Sequence, residues 1–281
     1  LHPRLSHAVA DPARLKTRTI DRVAYASDAS HYLLTPDAVI VAADAREVAA
    51  ILHGAQSSRT PVTFRSGGTS LSGQASSDSV LIDTRKHFRG IEVLDGGRRV
   101  RVEPGATVRQ VNARLLRHGY RLGPDPASEA ACTIGGVIAN NSSGMACGVT
   151  ENTYQTLESM TVVLASGTII RTDAPDADAR LRDTEPELFD GLVRLQRRVR
   201  ENPASRALIE RQFAMKNTIG YGINAFLDFE RPVDVLAHLV IGSEGTLAFV
   251  AEAVFRTVPV MPHITTGLAV FRTLHDATEA L

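Results

Sequence analysis

Between two short apolar segments, Val62-Thr63-Phe64 and Val80-Leu81-Ile82, the chain runs Arg65-Ser66-Gly67-Gly68-Thr69-Ser70-Leu71-Ser72-Gly73-Gln74. Glycine admits positive φ, which turns successive N–H groups toward one point and makes a nest for an anion. Ser66, Thr69 and Ser70 add hydroxyl donors, and Arg65 adds a full positive charge. Such a loop suits a pyrophosphate. A flexible Gly/Ser linker is the competing reading, but strands enter and leave the loop with no spare length for one.

A second stretch, Gly123 to Gly144, holds more than twenty residues without clear periodicity. Loops of that length are uncommon inside a compact domain unless they carry function. Gly135-Gly136 permits close backbone approach, and Asn140, Asn141 and Ser142 offer amide and hydroxyl groups. Ile134, Val137 and Ile138 are poor residues for a mobile surface loop, so the segment is expected to lie against something large.

Around these loops the pattern is mixed. Residues 36–83 read as an α/β unit, with a strand at Val39-Ile40-Val41 and a helix opened by Asp44 and Glu47 in a capping-box arrangement. Ile91, Val93, Val100 and Val102 alternate about Gly96-Gly97 as a hairpin. A helix is predicted from Thr107 to His118, with Gly119 beyond its end. A second hairpin joins Met160–Leu164 to Thr168–Arg171, residues 186–212 are largely helical, and Ala248–Val258 and Thr265–Phe271 read as strands. The class is α+β.

Composition excludes several functions. Thirty-one basic and 31 acidic residues cancel, and no basic stripe marks a nucleic-acid surface. Arg194, Arg197, Arg198 and Arg200 recur at helical spacing and read as a solvated face. No apolar run approaches membrane-span length, and the N-terminal residues have no signal-peptide core. Only Cys132 and Cys147 are present, which points to a reducing compartment. The expected location is the cytoplasm, with peripheral attachment at the inner membrane left open. Gly220-Tyr-Gly-Ile-Asn-Ala225 matches a dinucleotide fingerprint, but no strand is predicted before it. Metal signatures are absent, and His87 and His118 read as surface residues.

Three ordered segments carry a family resemblance: Arg65–Gln74, the Gly-Pro-Asp-Pro…Thr-Ile-Gly-Gly…Asn-Asn-Ser-Ser-Gly stretch, and Gly242-Ser-Glu-Gly-Thr246. Together they resemble FAD-linked oxidases of the vanillyl-alcohol oxidase/p-cresol methylhydroxylase (PCMH) type, in the glycolate oxidase subunit and D-lactate dehydrogenase branch, with its large iron–sulfur-fused members nearest. The resemblance implies a two-subdomain PCMH-type FAD-binding fold at 36–260, divided at approximately 36–105 and 106–260. A lead-in segment at 1–35 precedes it, and the start of a truncated cap at 261–281 follows. Both ends read as cut from something longer.

For the site, the resemblance implies that Arg65, Ser66, Gly67, Gly68, Thr69, Ser70 and Gln74 wrap the pyrophosphate. Pro124, Ser128, Thr133, Gly135, Gly136, Ala139, Asn140 and Ser142 line the ribityl chain and flavin. Val162 and the turn from Ile241 to Glu244 close around them. Thr69 stands where some relatives attach FAD through histidine, so binding is expected to be noncovalent. The implied substrate is a small D-2-hydroxy acid, with the electron acceptor or an iron–sulfur domain elsewhere in the gene product. Lys216, Asn217 and Tyr221 are candidates for the flavin's open face, a helix end and turn being the alternative. Arg22 and Tyr25 are further candidates. A FAD-binding subunit without a complete active site, or a sugar or aromatic-alcohol oxidase on the same scaffold, stays open.

Overall fold

A computed structural model of the chain describes residues 3–263 and 265–280. Leu1, His2, Ile264 and Leu281, which fall in the expected lead-in and cap segments, lie outside them. The first unit comprises α1 (Pro3–His7), β1 (Leu15–Lys16), α2 (Thr19–Val23), β2 (Ala38–Val41), α3 (Ala45–Ser58), β3 (Val62–Arg65) and β4 (Val80–Asp83). Its sheet has the order β1-β2-β4-β3, parallel except for β1. β2 and β4 are buried throughout, as central parallel strands covered on both faces should be.

Asp44 caps α3 by accepting the Glu47 N–H at 2.9 Å. The reciprocal half of the expected box is diverted. Glu47 instead accepts from the N–H groups of Ala43 (2.7 Å) and Ala10 (3.2 Å) and from Arg14. Burial pushes its carboxyl up, but these hydrogen bonds hold it below the ordinary value. The diversion ties the N-terminal segment to the sheet, and Leu5 and Val9 are buried in the first core. The described part of the expected lead-in thus supplies an edge strand and core side chains.

The second unit begins with β5 (Ile91–Leu94), β6 (Arg99–Val102), α4 (Val108–Leu115), β7 (Tyr120–Arg121), α5 (Ile134–Ala139), α6 (Thr153–Thr156), β8 (Leu157–Leu164) and β9 (Ile169–Arg171). It continues through α7 (Ala177–Thr184), α8 (Pro186–Glu201), α9 (Pro203–Phe213), α10 (Ala225–Asp228), α11 (Pro232–Val240), β10 (Ala248–Arg256), β11 (Val258–Pro259) and α12 (Leu274–Glu279). An antiparallel sheet runs β5-β6-β10-β8-β9. The β5–β6 hairpin, expected in the first subdomain, therefore belongs to the second sheet, because β6 pairs with β10. Thr107 caps α4 with a complete capping box to Gln110.

This sheet is covered on both faces. Val162, Val250 and Phe255 point into the core shared with the helices, while Val163, Phe249 and Ala251 point into the first unit's core. A register shift between Val250 and Glu252 leaves Ala251 as a bulge. Phe249 bridges the units, stacked on Phe64 at 4.8 Å and edge-on to Phe88 at 5.3 Å.

Residues 265–271 do not form the expected strand. No neighbouring strand takes up their backbone groups, and Leu268 and Val270 are exposed. The structure adds α11, whose residues from Val235 to Val240 are all buried and so lack the one-sided period that marks a helix in sequence. Its His238 stacks on Phe229 at 3.8 Å and meets Tyr154 edge-on at 4.9 Å. Burial there holds the imidazole down at about 4, against an ordinary 6.5.

Two stability predictions follow from this packing. Phe249→Ala should lower the unfolding free energy by about 3–5 kcal/mol in a denaturant titration, because it empties the contact between the units. For His238, the unfolded chain binds a proton that the folded chain refuses between pH 6.5 and 4. Its contribution is complete above the upper value and fades toward the lower one. Unfolding curves across that window should slope in the wild type and flatten in His238→Gln.

Candidate functional site

The two glycine-rich loops face each other across a cleft of about 890 Å³ between the units. In the first loop, Gly68 takes φ +64, as a nest requires. Gly67 is glycine for a different reason: a Cβ there would sit 2.8 Å from the Ala131 carbonyl oxygen in the second loop. The N–H groups of Gly68, Thr69, Ser70 and Leu71 have no acceptor among the described residues. Ser70 and Gln74 hydrogen-bond to each other and brace the loop from within.

Thr133 stitches the loops together. Its hydroxyl accepts the Gly67 N–H at 3.1 Å and pairs with the Ser66 hydroxyl, which donates to the Pro104 carbonyl at 3.0 Å. A Cβ on Gly135 would lie 2.7 Å from that of Pro104, whereas one on Gly136 would meet nothing within 4 Å. Gly136 therefore opens bare backbone to the cleft.

The turn after α11 closes the far side. Gly242 donates to the Ile138 carbonyl at 2.9 Å and Glu244 to that of Ala139 at 2.8 Å. Gly242, Glu244 and Gly245 have φ of 78°, 52° and 75°, a strained conformation for the glutamate. Its carboxylate accepts from Asn140 Nδ2 at 2.8 Å, and Asn140 Oδ1 accepts from Ser142 at 3.0 Å. Burial pushes the Glu244 carboxyl up, with the Asn140 bond opposing.

Residues 36–173 match a family described as the FAD-binding domain. The chain carries the FAD-binding domain of the PCMH-type oxidase family. It is 32% identical over 246 residues to a D-2-hydroxyglutarate dehydrogenase of Pantoea ananatis, covering 84% of this chain and 24% of that protein. Identity to a D-lactate dehydrogenase of Archaeoglobus fulgidus is 30% over 269 residues, covering 92% and 48%. For the glycolate oxidase subunit GlcD of Bacillus subtilis it is 28% over 279 residues, covering 97% and 48%. The chain thus spans between about a quarter and a half of these relatives' length. A solved structure of alkyldihydroxyacetonephosphate synthase shares the fold, with a TM-score of 0.62 and 18% identity over 94% of this chain and 42% of that one.

The cleft of this FAD-binding domain fits its cofactor. Unclaimed N–H groups at the first loop suit phosphate oxygens, and the open backbone at Gly136 admits a flat ring. Phe64, Val163 and Phe249 supply apolar wall. Ser243 adds a buried hydroxyl with no partner.

Of the expected residues, the cleft gathers Ser66, Gly67, Gly68, Thr69, Ser70 and Gln74 from the first loop. From the second it gathers Ser128, Gly135, Gly136, Ala139, Asn140 and Ser142, and from the turn Glu244. Five others lie elsewhere. Thr133 is the buried stitch, and Pro124 is buried near the start of the second loop. Val162 and Ile241 are core residues at 0% exposure; strand alternation puts Val163 at the cleft in place of Val162. Arg65 is the largest departure. Its guanidinium donates to the carbonyls of Ala75, Tyr25 and Ser27, and burial presses its pKa down. It holds the loop from behind and does not line the cleft.

Tyr221 reaches the cleft's edge through a 2.8 Å hydrogen bond to Thr246. Lys216 is exposed and donates to the Gly144 carbonyl at 2.6 Å, tying its segment to the second loop, while Asn217 accepts from the Ile219 N–H in a local turn. Arg22 binds the Pro36 carbonyl and Tyr25 binds Asp83, away from the cleft. The Gly220–Ala225 segment is preceded by α9 and irregular chain, not a strand. Ser243 lies in the expected turn from Ile241 to Glu244, Thr246 was missed although the motif containing it was visible, and Phe64 and Phe249 give no signal beyond ordinary strand residues.

Gly68→Val would force a β-branched residue to positive φ, at a cost of roughly 1–3 kcal/mol. FAD titration of this variant should show at least about tenfold weaker binding with an unchanged far-UV circular dichroism spectrum. Wild-type affinity in the variant would remove the first loop from the phosphate site.

Proposed function

We propose that the chain is the FAD-binding part of a flavin-dependent dehydrogenase that oxidises a small D-2-hydroxy acid, of the D-lactate or glycolate type, to the 2-oxo acid. The observation that carries this reading is the pair of glycine loops across one cleft, in a chain whose relatives are named for D-2-hydroxyglutarate, D-lactate and glycolate. FAD, when bound, supplies the two-electron acceptor for the alcohol carbon. The N–H groups of Gly68 to Leu71 hold the phosphates. Gly136, Ala139 and the Asn140–Glu244 pair hold the ring and exclude water from one side of it.

Binding is noncovalent in this reading. Thr69 offers a hydroxyl where a linking histidine would stand, and burial pushes the Cys132 thiol up, away from the nucleophilic thiolate. Cys132 and Glu244 are the titratable residues among the described ones lining the cleft; burial pushes both groups up, and the Glu244 carboxylate is already engaged by Asn140 Nδ2 at 2.8 Å. Neither is poised to take the hydroxyl proton of the substrate. The base and the groups that grip the substrate carboxylate therefore come from other parts of the protein, in a cap over the flavin's open face. Two buried free cysteines are consistent with a reducing cytoplasm; among the described residues no helix is long and apolar enough to cross a membrane. The name of the Bacillus subtilis relative favours a second reading, in which the chain is a FAD-binding subunit that works within a larger oxidase.

The protein should purify yellow, and acid precipitation should leave all its flavin in the supernatant as FAD. Flavin retained in the pellet would overturn the noncovalent reading. Anaerobic D-lactate, glycolate or D-2-hydroxyglutarate should bleach the flavin of the whole gene product, while the 281 residues alone react poorly. Bleaching by sugars or aromatic alcohols instead would move the protein to another substrate class.

A further inference from the structure

We propose that residues 25–32 form a strap that aims the first glycine loop at its ligand, with Asp28 as the positioning residue. The inference rests on the reading that FAD phosphates occupy the first loop. The strap crosses behind that loop, on the side away from the cleft, and is fastened at four points. Arg65 Nη1 donates to the carbonyls of Tyr25 and Ser27 at 2.8 and 3.2 Å, while its Nε donates to Ala75 at 2.8 Å. Ala29 N–H donates to the Gly68 carbonyl at 3.0 Å. Asp28 accepts from the Ser76 hydroxyl at 3.0 Å, beyond the loop, and from the Ser30 N–H at 2.8 Å, within the strap. The Tyr32 ring covers Gly73, where a Cβ would come within 2.5 Å of it.

The bond to Gly68 carries the argument. A trans peptide is planar, with its C=O and N–H pointing in opposite directions. Drawing the Gly68 carbonyl back onto Ala29 therefore sends the Thr69 N–H forward, toward the cleft that Thr69 lines. Gly68, at φ +64, has no side chain to fix its conformation, so this external bond decides which way the peptide faces.

Asp28 secures that bond. Its side chain is 1% exposed and lies 4.0 Å from Arg65 Nη2, a buried donor with no hydrogen-bond partner among the described residues. It is thus the counter-charge that lets a buried guanidinium sit behind the loop, and its two hydrogen bonds fix the residue preceding Ala29. Tyr25 anchors the start of the strap through its hydroxyl to Asp83 at 2.7 Å.

The test is amide hydrogen exchange of the flavin-free protein combined with FAD titration by flavin fluorescence. Asp28→Ala should speed exchange at residues 66–74 while leaving β8 and β10 as in the wild type. It should weaken FAD binding by about tenfold, the order of one lost hydrogen bond. Asp28→Asn keeps the acceptor for Ser30 but loses the charge facing Arg65, and should fall between the two. Tyr32→Ala removes a half-exposed ring, spares the core, and should loosen residues 70–74 even if Asp28→Ala folds poorly. Unchanged exchange at 66–74 with unchanged FAD affinity would overturn the proposal. So would a lower melting temperature with wild-type affinity, which would make Asp28 a general stabiliser. Failure of the wild-type protein to bind FAD would instead overturn the cofactor reading, while exchange in the flavin-free protein still decides the strap.

Discussion

The Thr133 hydroxyl is where the two halves of the cleft meet. It takes the Gly67 N–H and joins Ser66, whose own proton goes to Pro104. This contact requires the first loop to touch the second along bare backbone, and Gly67 permits that because a side chain would strike Ala131. Two flexible loops would otherwise drift, and a ligand spanning them would bear the ordering entropy of both. With the seam closed, the loops form one rigid rim.

The rim stays in register because both loops grow from sheets packed against each other. β10 and β8 present one row of side chains to each core, and the bulge at Ala251 re-phases β10 after it has supplied Phe249 to the first unit. Phe249 and Phe64 line the cleft and also pack the units together. Binding surface and interface core are here the same residues.

This dual use explains what could be read from the sequence. Gly68 was legible because positive φ leaves a compositional trace, and the hairpin turn at Gly96-Gly97 and the cap at Thr107 for the same kind of local reason. Arg65 was not. Its type suggests a phosphate donor, but its direction is set by carbonyls about forty residues earlier, and nothing local records that. Val162 and Val163 are indistinguishable by type, and one step of register decides which faces the ligand. Leu5 and Val9 belong to the first core only because Glu47 abandons half of its capping box to hold their segment. Residues 265–271 have a strand's composition, but a strand exists only with a partner to pair with.

The charge distribution gives the last step. Among the described residues no lysine, arginine or histidine lines the cleft, and the one carboxylate that does, Glu244, has its carboxyl pushed up by burial. On the proposed reading, a dianionic pyrophosphate would be held by oriented peptide dipoles and hydroxyls. That arrangement avoids desolvating a cation in the binding step, and it works only if the dipoles already point the right way before the ligand arrives. Arg65 serves that end from behind the loop, where its charge is met by Asp28 and its protons by three backbone carbonyls. On the proposed reading, the cation would serve anion binding by fixing neutral donors in place, without entering the lining itself.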